Sequence, residues 1–354
     1  SAWQLALNDP RSPTVWPVIP EFELRVMKPL QCNHGNGFYD RFFSRSDSGM
    51  VQSNGTPIYP LSEAALDRYR AYEVTYGHAS FFMTSGPFGS PGNMLLYADM
   101  IKEHYALKAL QERYLDSPLA NVRYFHNGAL ASFETVLFQT ETTDSFRDAQ
   151  VRLAYESGLV VYVNHATTNW NVSANGVAYS IPEDGYLAFE PSSAFLAFSA
   201  IPPTTGGQRI DYCLSPGNYE FFDGRGVVNS YGGIDTLGVK RLKVVNFVRG
   251  LTVSEAATGA IQVLAGNAPS IVAIDIVGPT SCSAGERATV KAVAHYANGA
   301  SRVVTTLVDW SSSNPAAATV NEGGALIGVA SGLASITTTS FQGVAPSPLA
   351  VVVN

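Results

Sequence analysis

The sequence predicts a multidomain, mainly-β protein with an α/β N-terminal part. Three observations carry that prediction. From about residue 120 onward, apolar and polar residues alternate with period two in many short runs separated by turn residues. Ahead of them, two stretches carry apolar residues at helical spacing. Charged residues make up only 14% of the 354, well below the roughly 25% of an ordinary domain, and Gly, Ser, Thr, Asn and Tyr take their place. Strands and turns use that chemistry, and it suits an extracellular, β-rich chain.

Taken in order, residues 1–60 are irregular, with short strands expected at Pro17-Val18-Ile19 and Phe22-Glu23-Leu24-Arg25-Val26. A first helix is expected from Ser62, whose side chain can accept a backbone N–H bond, to about His78. Its apolar stripe is Leu66, Tyr69, Tyr72, Val74 and Tyr76. The Pro/Gly/Ser segment at 85–92 breaks the pattern, and a second helix follows over about 93–115. Strands are then expected at 122–125, 151–155, 159–163, 185–190, 194–199, 209–213, 219–222 and 241–246, a spacing that implies a β-sandwich. Residues 251–267 read as a connector with one possible strand at 260–264. A further strand set begins at Ile271 and ends at Val353.

Composition excludes several functions. The net charge is -7 and no Lys/Arg stripe is present, so a phosphate-binding surface for nucleic acid is not expected. No apolar run reaches 18 residues, so no membrane span is expected. Cys32, Cys213 and Cys282 are odd in number and far apart, which argues for plain thiols rather than a metal site or disulfide framework. No cofactor motif occurs. The opening Ser1-Ala2-Trp3-Gln4 lacks a basic start and an apolar core, so either a signal has been removed or the sequence begins inside a longer protein.

Two resemblances sharpen the expectation. The run Gly285-Glu286, Tyr296-Ala297-Asn298-Gly299, Val308-Asp309-Trp310-Ser311-Ser312-Ser313-Asn314-Pro315, Ala318-Thr319-Val320, the stretch from Gly324 to Gly332 and Ala334-Ser335-Ile336-Thr337 resembles a bacterial Ig-like domain of group 2. This resemblance covers 268–354 and implies a spacer or adhesion module without catalysis. Within it, Trp310 is expected as a core anchor, Asn298-Gly299 as a hairpin turn, and Gly328 and Gly332 at tight turns.

Residues 10–250 resemble the closing part of secreted proteins with a glycoside-hydrolase-like (β/α)8 barrel. The segments that carry this are 33–43, 70–79, Gly158 to Asn164, Ile181-Pro182-Glu183-Asp184-Gly185 and Tyr219 to Gly224. The implied layout is a partial (β/α)8-barrel segment at 1–118, an accessory β-sandwich at 119–267 and the Ig-like β-sandwich at 268–354. A full barrel needs about 250 residues, so the upstream half is expected elsewhere and the catalytic acids with it. The chain as it stands is therefore expected to lack hydrolytic activity, and its catalytic residues are unknown.

Candidate substrate-binding residues are His34, Tyr39, Asp40, Arg41 and His78. The first four sit in a Gly-rich aromatic loop, where ring faces and planar polar groups suit sugars. Each also has a structural reading: Asp40 paired with Arg41, His34 holding its loop, His78 at a helix end. The acids on the helices, such as Asp67, Glu73, Asp99 and Glu103, are expected to be solvated. The functional expectation is the C-terminal portion of a secreted glycoside-hydrolase-like protein acting on or binding polysaccharide. The alternative is a non-enzymatic cell-surface or filament protein assembled through its β domains. The partners implied are a polysaccharide or cell-surface glycan, other copies of the chain, or an upstream barrel half. The implied location is extracellular or on a bacterial cell surface.

Overall fold

The computed structural model describes residue 24 and residues 62–77, 97–115, 117–140, 146, 148–266 and 269–354. The architecture is mainly β, with several sheets and three helices among the described residues. By internal contacts the chain divides into two units. The first is assigned Ser1–Ser215, Glu220–Val244 and Val253–Val263; the second is assigned Pro216–Tyr219, Val245–Thr252 and Leu264–Asn354. No described helix is long and apolar enough to cross a membrane.

Among the described residues, the first helix of the first unit is α1 (Glu63–Tyr76). Ser62 caps it as expected, its Oγ accepting from Ala65 N at 3.1 Å. Gly77, at φ 64°, closes it in the left-handed conformation and donates to Glu73 O. Helix α2 (Tyr97–Tyr114) and the short α3 (Phe133–Thr140) follow. The strands are β1 (Leu119–His126), β2 (Ala129–Ala131), β3 (Gln150–Tyr155), β4 (Val160–Asn164), β5 (Trp170–Ala174), β6 (Val177–Ile181), β7 (Gly185–Phe189), β8 (Leu196–Ala200) and β9 (Ile210–Ser215). Then come β10 (Tyr219–Asp223), β11 (Ser230–Tyr231), β12 (Ile234–Asp235), β13 (Val239–Asn246), β14 (Leu251–Ala256) and β15 (Ile261–Ala265).

Eleven of these strands form one sheet in the order β15-β14-β13-β10-β9-β8-β7-β4-β3-β1-β2. From β2 to β9 every neighbouring pair is antiparallel. Helix α1 packs on β4 and β7, and α2 on β8 and β9. The strands beneath the helices are thus antiparallel, whereas the barrel resemblance implies a parallel set. The β5–β6 hairpin leaves the sheet between β4 and β7 and pairs with itself. Its Asn175-Gly176 turn has φ of 50° and 80°, and Asn127-Gly128 between β1 and β2 has 50° and 82°. Both are two-residue turns in which each residue needs positive φ, which Asn and Gly tolerate.

Alternation sorts the sheet residues. Val122, Tyr124, Val151, Leu153, Val161 and Val163 point to one buried face. β7 and β10 are buried along their whole length. Asn164, with no exposed surface, fixes the β4–β5 connection. Its Nδ2 donates to Thr168 O and Ile181 O at 2.8 Å each, and its Oδ1 accepts from Ala166 N at 3.0 Å.

The second unit contains β16 (Ile271–Val277), β17 (Ser281–Cys282), β18 (Arg287–Thr289), β19 (Lys291–Tyr296), β20 (Ser301–Val303), β21 (Trp310–Ser312), β22 (Ala318–Val320), β23 (Ala325–Gly328), β24 (Gly332–Thr338) and β25 (Leu349–Val353). They form three small sheets: β16-β19-β20, β17-β25-β24-β21 and β18-β23-β22. One apolar cluster gathers Val290, Ala318, Leu326, Ile336 and Val351; another gathers Ile274, Ala292, Ala294, Tyr296 and Val304. Trp310 packs on both clusters while half-buried, and its Nε1 donates to Thr305 O at 2.9 Å.

The turn after β19 differs from a two-residue hairpin. Tyr296 N bonds Ala300 O and Gly299 N bonds Tyr296 O, each at 2.9 Å, and Gly299 alone in the loop has positive φ. The loop is therefore three residues long and ends in a left-handed glycine. Gly328 answers to close approach rather than to a turn, since a Cβ there would lie 2.4 Å from Ser283 O. Cys213 and Cys282 are buried, and neither is part of a disulfide.

Candidate buried ionic site

His34, Tyr39, Asp40, Arg41, His78 and Cys32 lie outside the described residues. What the described residues bring together instead is a charged cluster in the first unit, between α1, α2 and the sheet. The expectation of solvated helix acids fails here. Asp67, Glu73, Asp99 and Glu103 are each 5% exposed or less, and Arg70 and Lys102 have no exposed surface. α1 is buried from Ala65 to Tyr76 except at Arg68, so its charged side chains are enclosed with its apolar ones and meet charged side chains of the sheet.

Arg70 makes a two-pronged contact with Glu103, with Nε at 2.8 Å from Oε2 and the second prong from Nη2 to Oε1. Its Nη1 donates to Asp67 at 2.9 Å. Arg225 bridges helix and sheet, donating to Asp67 at 2.9 and 2.6 Å and to Asp211 at 2.9 and 2.8 Å. To reach there it sits at φ 52°, in a turn where Asp223 Oδ1 accepts from its own N–H at 2.7 Å. Lys102 contacts Glu63, Asp211 at 2.6 Å and Asp223 at 3.0 Å. Arg241 ties Glu255, Glu63 and Asp99 together. Arg209 reaches Asp67 at 3.2 Å and the backbone carbonyls of Glu183 and Asp184.

Burial alone would raise every carboxyl in such a place, and the cations decide the outcome. Asp211 faces burial, but Arg225, Lys102 and Arg70 outweigh it and hold the group well below the usual carboxylate range. Asp67 and Glu63 are also lowered, burial being outweighed by Arg209 and Arg225 for the first and by Lys102 chiefly for the second. Glu103 goes the other way: burial raises it and Arg70 offsets only part. Asp223 is raised by burial, with Lys102 lowering it and Asp211 pushing it up again. Its Oδ2 has the Lys102 ammonium as neighbour but no well-aligned hydrogen bond.

A second arrangement lies at the α1–β4 contact. His165 Nε2 is 2.8 Å from Thr75 Oγ1, its Nδ1 is 3.4 Å from Asp184 Oδ1, and Tyr72 stacks on its ring at 4.4 Å. Hydroxyl, imidazole and carboxylate fall in the order of a nucleophilic triad. Thr75, however, is 1% exposed, stands in the last turn of α1 and bonds Ala71 O at 2.8 Å. Its oxygen is enclosed, and the group ties α1 to the sheet. Asp184 also accepts from Arg68 at 3.0 Å, so the Ile181-to-Gly185 segment serves as a helix anchor.

The sequence carried a partial signal for these groups. Acids and arginines at three- to four-residue spacing on α1 were visible, but their sheet partners lie more than a hundred positions away. Among the described residues, no group of His, Cys, Asp and Glu is placed to hold a metal ion. No protein-family model matches the chain, and no curated protein matches it in sequence.

Proposed function

We propose that this chain is the polysaccharide-directed, non-hydrolytic C-terminal portion of a secreted glycoside-hydrolase-like protein. Its first unit would be the accessory β domain, with α1 and α2 belonging to it because they pack on the antiparallel β4, β7, β8 and β9, and 268–354 would be a group 2 Ig-like spacer. One observation supports a carrying rather than a catalytic role. The buried carboxylates of the first unit are engaged by Arg70, Lys102, Arg209, Arg225 and Arg241. A glycosidase needs two carboxyl groups about 5–10 Å apart that face an open cleft with room for sugar and water. Asp211 and Asp223 share the Lys102 ammonium but have no exposed surface, so they hold the fold.

Incubating the full chain with a panel of polysaccharides separates the readings. Retardation in polysaccharide-containing gels without release of reducing ends is expected. Hydrolysis by the chain would overturn the non-hydrolytic assignment.

A further inference from the structure

Among the described residues of the first unit, β1, β3 and β4 share a face that is not fully buried. On β1, Asn121, Arg123 and Phe125 alternate with buried Val122 and Tyr124; on β3, Arg152 and Ala154 alternate with buried Val151 and Leu153. Tyr162 and Val160 continue the same face on β4, and all seven of these side chains are half-buried or exposed. Trp170 of the β5–β6 hairpin edges it, 5.7 Å from Phe125 and 5.2 Å from Tyr162 between ring centroids.

Arg123 and Arg152 are register partners across β1 and β3, so two guanidiniums stand directly opposite on one face. Like charges so placed destabilise a sheet. Neither has a carboxylate partner among the described residues, although the chain carries 29 acids and a net charge of -7. Arg123 Nη1 bonds only the neighbouring carbonyl of Val122, at 3.0 Å. Arg152 Nε reaches Tyr162 Oη at 3.3 Å, and its guanidinium carbon is 5.8 Å from that ring centre. Beside them the Asn121 side-chain oxygen is buried without a hydrogen-bond partner.

We propose that this face binds the oxyanion substituents, carboxylate or sulfate, of an acidic polysaccharide, with Arg123 and Arg152 as the paired anion clamp. An oxyanion between the two guanidiniums removes their repulsion and takes charge-assisted hydrogen bonds from both. Phe125 and Tyr162 supply apolar ring surface next to the clamp for the C–H side of a sugar. The proposal rests on the polysaccharide reading and narrows it to acidic polymers.

The test uses the full chain and four probes: an oligogalacturonate, its methyl-esterified form, a sulfated galactan oligomer and a neutral xylo-oligomer. Titration calorimetry should show the oligogalacturonate or the sulfated galactan bound, with affinity falling as salt rises. The methyl ester and the xylo-oligomer should bind at least about tenfold more weakly. Arg123→Gln and Arg152→Gln should each weaken acidic-probe binding by about tenfold. Their melting temperatures should equal or exceed that of the wild type, because each removes a like-charge opposition. A clear loss of melting temperature in either variant would mean that the guanidiniums hold the fold, and would overturn the proposal. So would unchanged acidic-probe affinity in both variants. Binding of neutral and acidic probes alike overturns the anion clamp and leaves the polysaccharide reading standing. Binding of no saccharide removes both.

Discussion

Lys102→Met removes the most enclosed cation of the ionic cluster while keeping a side chain of similar length. The ammonium has no exposed surface and contacts Glu63, Asp211 and Asp223. Asp211 keeps Arg225 and Arg70, whereas Lys102 is the one ion-pair partner of Asp223 among the described residues. Removing one member of a buried pair costs about 3–5 kcal/mol, because the other is left charged and desolvated. In a unit of this size each kcal/mol is worth roughly 2–4 °C, so melting should fall by roughly 6–20 °C. Differential scanning calorimetry is the assay, since two units need not unfold in one transition. Lys102→Met with Asp223→Asn should recover part of the loss by removing the orphaned charge. An unchanged melting temperature in the single variant, or a double variant less stable than the single one, would refute the reasoning.

Further outcomes follow from the same structure. Asn164→Ala should cost about 2–3 kcal/mol in denaturant midpoints, because it leaves the carbonyls of Thr168 and Ile181 without its amide; a neutral result would contradict that role. Trp310→Ala should cost about 2–4 kcal/mol, somewhat less than a fully buried Trp, and calorimetry should place the loss in the second unit. Stability should peak at mildly acidic pH. Asp67, Asp211 and Glu63 sit below their ordinary values, so their contribution is complete above the unfolded carboxylate value of about 4 and is lost as pH falls through their lower folded values. Glu103 and Asp223 sit above theirs, so the folded chain keeps protons that the unfolded chain has released, and stability rises as pH drops toward about 4. Denaturant midpoints falling steadily from pH 7 to pH 5 would contradict this.

Short-range patterns were readable wherever a single element decides the outcome. Ser62 caps α1, and the strand expected at 349–353 is β25 (Leu349–Val353), because one cap or one alternating run suffices. The β5–β6 hairpin lies outside the strands expected from sequence, because Trp170 to Ile181 carries polar Asn171, Ser173 and Ser180 between its apolar residues. Residues 251–256 read as connector because the alternation of β14 runs only from Leu251 to Ser254 before Glu255 breaks it. The ionic cluster was hidden for a different reason. Asp67 and Glu103 look like solvated helix acids until Arg225 and Arg70 are placed beside them, and Arg225 is 158 positions from Asp67. The Arg123–Arg152 opposition likewise depends on strand register, which neither segment reveals alone.

The central claim is that this chain holds polysaccharide without cleaving it. The most direct measurement is to assay the full chain against one panel of acidic and neutral polysaccharides for both bound protein and released reducing ends. The account predicts bound protein with at least one acidic polymer and no reducing ends above the buffer control. Reducing ends that rise with protein concentration, or no binding to any polymer on the panel, would contradict it.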